Sequence, residues 1–270
     1  MTSSLPTDFW GRIFFLITNY SSSFLRGAGT TIAIAVVGTA VGCIIGFIVG
    51  IIQTIPVDPN DSKIKKVLLW IVNAILKVYV EVFRGTPMIV QAMFIYYGAL
   101  MYLGINMGMW FAAFFIVSIN TGAYMAETVR GGIISVDLGQ TEGAMAIGMN
   151  HFQTMMYVVF PQALRNIIPQ IGNNLIINLK DSSVLSVIGT VELFYAAKQT
   201  AGAYYWYFES MTIAMAVYLV MTLLTSFLLR KWEKKLDGSA IFELATTDTL
   251  ALTSGMLHGP TRRNRRYGNE

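Results

Sequence analysis

The chain has 270 residues, of which 54% are apolar and only 13% charged, about half the roughly 25% charge of an ordinary water-soluble domain. That balance excludes a soluble globular reading. The single cysteine, Cys43, excludes a disulfide framework or a cysteine-based metal site. His151 and His258 stand far apart and lack a carboxylate cluster at ligand spacing, so no metal site is expected.

The charges that exist are unevenly placed. None falls between Arg26 and Asp58 (31 residues), between Arg84 and Glu127 (42 residues), or between Glu209 and Arg230 (20 residues). About 20 apolar residues cross a bilayer core, so each run can span and the longest can span twice.

In chain order, residues 1 to 26 mix aromatic and apolar residues (Phe9, Trp10, Phe14) with Arg12 and a polar run from Thr18 to Ser23. They have neither the basic start nor the small-residue cleavage site of a signal peptide and read as an interfacial helix. The first crossing is expected at about 28 to 55. Its Gly38, Gly42, Gly46 and Gly50 recur every four residues on one face, which lets another backbone come close. Residues 64 to 84 are apolar but carry Lys65, Lys66, Lys77, Glu81 and Arg84, and read as an interfacial helix. Further crossings are expected at about 87 to 104, 109 to 129, 160 to 188 and 208 to 230, with the turn in the longest run supplied by Gly104, Asn106 and Gly108.

The prediction is therefore an all-α membrane protein with about five transmembrane helices. It divides into an N-terminal segment (1 to 26), a transmembrane domain (27 to 235) containing a loop at about 130 to 161, and a tail (236 to 270). With the N-terminus outside and the C-terminus cytoplasmic, 15 of the 19 basic residues lie on the cytoplasmic side, as the positive-inside bias requires. A sixth crossing through residues 65 to 84 would break that bias. The basic balance thus reports membrane orientation, with the lipid bilayer as partner and no nucleic acid.

The loop at 130 to 161 is the one hydrophilic stretch between crossings. Asp137 is placed to cap a helix and Gln140 follows at capping-box spacing. Small and flexible residues continue to Asn150, with Ala144 and Gly148 on one face and Met145 and Met149 on another; Pro161 should then break the chain before it re-enters the membrane. A short helix of this kind suits a groove on a partner protein.

Glu142-Gly-Ala, then Gly148, then Phe160-Pro161 resembles the EAA loop of ATP-binding-cassette (ABC) importer permeases. Tyr79-Val-Glu-Val-Phe-Arg-Gly-Thr-Pro87, Gly122-Ala-Tyr-Met-Ala-Glu-Thr-Val-Arg-Gly-Gly132 and Leu179-Lys-Asp-Ser-Ser-Val-Leu185 are similar to the versions in its polar amino-acid branch. Gly143 stands where the motif usually has Ala, and the tail extends past the family core. The resemblance implies a type I importer (MetI-like) fold, in which a coupling helix carrying Gln140, Glu142, Gly143, Ala144, Gly148 and Pro161 docks on an ABC ATPase subunit. It also implies a second permease copy or a paralogous permease, an extracytoplasmic amino-acid-binding protein, and the cytoplasmic (inner) membrane of a bacterium.

No Gly-x-x-x-x-Gly-Lys-Ser/Thr stretch is present, so ATP and Mg would be used by the partner ATPase and no cofactor is bound by this chain. An ion-coupled secondary transporter is the alternative. Polar residues at membrane depth are candidates for the substrate path: Asn120, Thr121 and Tyr124 in the third crossing, and Asn174, Asn178, Asp181, Ser182 and Ser183 in the fourth. Each could instead hydrogen-bond a neighbouring helix. Glu127 and Arg130, three apart, read as a gate or helix-end anchor. Arg84, Thr86 and Pro87 read as the architecture that starts the second crossing.

Overall fold

A computed structural model describes residues 5–57 and 61–236, the last three of these by their backbone alone. The tail expected at 236 to 270 lies outside the described residues from 237 onward. Those described form helices α1 (Phe9–Gln53), α2 (Lys63–Gly85), α3 (Met88–Leu103), α4 (Met109–Ile134), α5 (Leu138–Ala146) and α6 (His151–Thr154). A π-helical turn (Met155–Val159) leads into α7 (Phe160–Asp181), and a 3-10 stretch (Ser182–Ile188) precedes α8 (Leu193–Tyr204) and α9 (Tyr207–Leu236).

Three helices, α1, α4 and α9, are long and apolar enough to cross a membrane by themselves, and α3 is a shorter apolar helix. The core is organised around α1 against α4. Val117 and Thr121 lie against Gly38 and Gly42, and Met125 and Val129 lie against Gly46 and Gly50. A methyl group on any of these four glycines would come within 3.0 Å of the facing side chain. The four-residue glycine spacing therefore meets a four-residue ridge on α4, as expected of close-packed membrane helices. Both series advance together along the chain, so α1 and α4 run parallel.

Other contacts fix the remaining directions. Gly132 of α4 faces Ile167 of α7 while Thr121 bonds Asn178, so α7 runs antiparallel to α4. The start of α9 meets the start of α1 through the Arg12–Glu209 ion pair at 2.9 Å, and Gly172 of α7 faces Leu229 of α9. Thus α1, α4 and α9 point one way and α7 the other.

Two local expectations are corrected. First, α1 continues through residues 26 and 27 without a break. Its 45 residues reach about 68 Å at 1.5 Å per residue, far beyond the roughly 30 Å of a bilayer core. The polar run does not interrupt it because Thr18 and Asn19 donate to the carbonyls of Phe14 and Phe15, one turn back. Second, Pro161 does not separate two segments: it lies in the first turn of α7, where its missing N–H is harmless, and the chain before it widens into a π turn.

As expected of an interfacial helix, α2 is amphipathic in sequence, and Val80 is its one buried residue. It holds α4 through the Tyr79 hydroxyl, which donates to the Ile119 carbonyl at 2.6 Å.

The coupling helix and the polar interior

Asp137 caps α5 as its position implies, its carboxylate accepting from the Gly139 N–H at 2.7 Å. The capping box with Gln140 does not form. Gln140 instead accepts from Gln162 of α7 at 3.3 Å. A reciprocal box occurs one helix later, where Asn150 accepts from the Gln153 N–H and Gln153 accepts from the Asn150 N–H.

The helix also ends earlier than its composition implies. After Ala146 the chain turns at Gly148, φ +90°, with its N–H donating to the Met145 carbonyl and the Met149 N–H donating to the Ala144 carbonyl. This Schellman pair needs a left-handed residue, which glycine supplies without a Cβ clash. Met149 therefore leaves the helix and does not stack on Met145. Ala144 is buried, whereas Glu142 and Gly143 are exposed and nothing crowds Gly143. Leu138, Glu142 and Met145, at i, i+4 and i+7, form an exposed stripe on α5, and Ile147 beside it is 81% exposed. α5 rests on the π turn and α6. Pro161 is exposed at the start of α7.

The polar candidates divide into two groups. Asn178 is buried among three helices, its amide donating to Thr39 of α1 at 2.8 Å and Thr121 of α4 at 3.0 Å. Asn120 is turned elsewhere, donating to Gln91 of α3 at 2.9 Å and to the Phe83 carbonyl at 3.2 Å. Gln91 in turn donates to Thr86, so the elbow around Thr86 and Pro87 is stitched to α4. Ser182 and Ser183 donate to the carbonyls of Leu179 and Lys180, closing the end of α7.

The second group keeps exposed atoms. Asn174 donates to the Gln170 carbonyl at 2.9 Å and lies 3.3 Å from the Met125 sulfur. Asp181 is half-buried beside Lys180. Tyr124 is exposed, with the Arg84 guanidinium 5.7 Å from its ring centre. Glu127 pairs with Arg130 at the predicted helical spacing and is also 3.4 Å from Arg84 of α2. One carboxylate thus joins two guanidiniums from two helices.

Three residues escaped the sequence reading: Gln91, Thr39 and Glu192. Gln91 was visible as an isolated amide in an apolar run. Glu192 is fully buried, caps α8 through the N–H groups of Phe194 (2.9 Å) and Tyr195 (2.7 Å), and accepts from the Tyr218 hydroxyl of α9 at 2.6 Å. Its signal was an acid standing just before an apolar helical run, the position of an N-cap.

The described residues thus form a helical bundle with a short helix exposed at one end, the arrangement the sequence resemblance implies. Comparison with known proteins defines the class. Residues 67–238 match the model of the family described as binding-protein-dependent transport system inner membrane component. The chain belongs to that family.

Among its relatives, the glutamine transport system permease protein GlnP of Escherichia coli (strain K12) is 35% identical over 213 residues, covering 78% of this chain and 92% of that protein. The arginine transport system permease protein ArtQ of Bacillus subtilis (strain 168) is 34% identical over 215 residues, covering 80% and 93%. A crystal structure of an amino acid ABC transporter with histidines superposes with a TM-score of 0.72 at 36% identity, covering 82% of this chain and 98% of that one. An inward-facing MetNI methionine ABC transporter shares the fold, with a TM-score of 0.63 at 20% identity.

The chain is therefore an ABC importer permease with a type I, MetI-like fold, and the ion-coupled alternative falls. It is a non-catalytic membrane subunit, and ATP hydrolysis belongs to a separate one.

Proposed function

We propose that the chain is the translocating subunit of an ATP-driven importer for a polar amino acid in the cytoplasmic membrane of a bacterium. The observation that carries this reading is the exposed stripe of α5, held at one end of a bundle whose relatives are named as glutamine and arginine permeases. The ATPase, using ATP and Mg, engages Leu138, Glu142, Gly143 and Met145. An amino-acid-binding protein delivers substrate on the opposite side, and a second permease copy or a paralogue completes the path.

The opposed directions of α7 and of α1, α4 and α9, with the apolar α3 lying between the parallel α1 and α4 in the chain, support five crossings formed by α1, α3, α4, α7 and α9, with the N-terminus outside. The substrate path passes the residues that keep free surface, Tyr124, Asn174, Asp181 and Ser183. Asn120, Thr121, Asn178 and Ser182 support that path from behind. Arg84, Glu127 and Arg130 join α2 to α4 near the end that α5 follows, where a change in α5 reaches the bundle first. ATP closing the ATPase pair favours one permease state over the other, and hydrolysis reverses the shift.

The test is uptake of labelled amino acids into proteoliposomes holding the chain with its ATPase and binding protein. Uptake of a polar amino acid that needs internal ATP and both partners is expected. Uptake by the chain alone, driven by an ion gradient, would overturn the proposal.

A further inference from the structure

Behind α5 lies a cleft of about 350 Å³, between the end of α1, the last turns of α4, α5 itself and the π turn, a volume within the range of small-ligand sites. Its walls combine two chemistries. Ile133 and Val159 are apolar and buried, whereas Arg130, His151, Thr141 and Thr154 bring N–H and O–H groups. No carboxylate lines it.

Two observations give the cleft a sign and an unmet partner. Arg130 shares the Glu127 carboxylate with Arg84, and neither Glu127 nor Glu81, the acids gathered with Arg130 on its other side beside Lys77, lines the cleft, so Arg130 is the charged group at its rim. Thr154, 1% exposed in the cleft wall, has a buried hydroxyl with no hydrogen-bond partner, an unusual state for a native polar group. It immediately precedes the π turn, a backbone irregularity that recurs at functional sites.

We propose that this cleft binds an amphipathic anion: a phosphate or carboxylate head at Arg130 and His151, with a short apolar stretch against Ile133 and Val159. Guanidinium forks suit both head groups. An anionic inner-leaflet phospholipid and a soluble apolar carboxylic acid share this chemistry. Either would bridge α4 to α5, reaching the α5 stripe only at Leu138, which also lines the cleft. The site is a property of this chain alone and does not depend on the transport reading.

The full-length chain in neutral detergent is probed with two pairs, phosphatidylglycerol against phosphatidylcholine and hexanoate against hexanol, by native mass spectrometry and thermal shift. At least about fivefold preference for one anion over its neutral counterpart is expected. Phosphatidylglycerol alone assigns a lipid, and hexanoate alone a soluble acid. Ile134→Trp, at an exposed position on the cleft mouth, should abolish the preference. No preference in either pair, or a preference unchanged by Ile134→Trp, overturns the proposal.

Discussion

Gly148 ends α5 at a φ that a β-branched residue adopts only with strain, on the order of 1–2 kcal/mol. The position is otherwise open, with nothing near its Cα to clash with a side chain. Backbone geometry therefore decides what is tolerated. Gly148→Val should displace Met149 and Asn150 and lower ATP-driven uptake more than tenfold in the assembled complex. Gly148→Asn, which enters the left-handed region more readily, should retain most of it. Equal loss in both would point to the side chain and away from the turn. Asn178 makes the complementary case, because its amide is committed to Thr39 and Thr121. Removing such an interhelical bond costs about 0.6 kcal/mol on average and up to about 1.7 in membranes. Asn178→Ala should lower the unfolding temperature in detergent by a few degrees and leave the order of preferred amino acids unchanged. A reordered substrate profile would instead place Asn178 in the path.

Among the elements, α1 and α4 form the interlock on which the rest packs. Gly46→Leu must push Met125 and Ala126 aside, and overpacking of this kind costs about 1–3 kcal/mol. Gly29→Ala, at a helical site with open space, should be neutral or stabilising by about 0.5–1 kcal/mol. Thermal unfolding of the two variants checks the contrast, which fails if both behave alike. The α8 cap is a second junction. Tyr218→Phe removes one of the two hydrogen bonds to Glu192 Oε2, which keeps the Phe194 N–H, a loss of about 0.5–1.5 kcal/mol, measurable by the same unfolding. Much at this scale was legible. Charge-free runs located α1, α3, α4 and α9, glycine spacing announced the α1 interlock, and charges within an apolar run marked α2. What escaped depends on tertiary partners. The polar run at 18–23 looked like an interruption, but Thr18 and Asn19 bond back to their own helix and Tyr20 meets Tyr204 of α8. Gln140 had the spacing for a capping box, but α7 offered Gln162. The π turn has no period that a sequence window detects.

At the scale of the whole molecule, α1, α4 and α9 run one way and α7 the other, and α5 stands outside the packed core. The candidate site was legible as residue types more than as geometry. Asn120 and Thr121 are neighbours in sequence yet serve different helices, whereas Arg84 and Glu127, 43 positions apart, meet. The bundle's design as a driven part leads to one direct test: ATP-dependent uptake in proteoliposomes containing the chain, its ATPase and its binding protein, compared for the native chain and Gly148→Val with assembly verified in both. The account predicts uptake that requires ATP for the native chain and its loss for the fully assembled variant. Unchanged uptake by Gly148→Val, or native uptake without ATP, would contradict it.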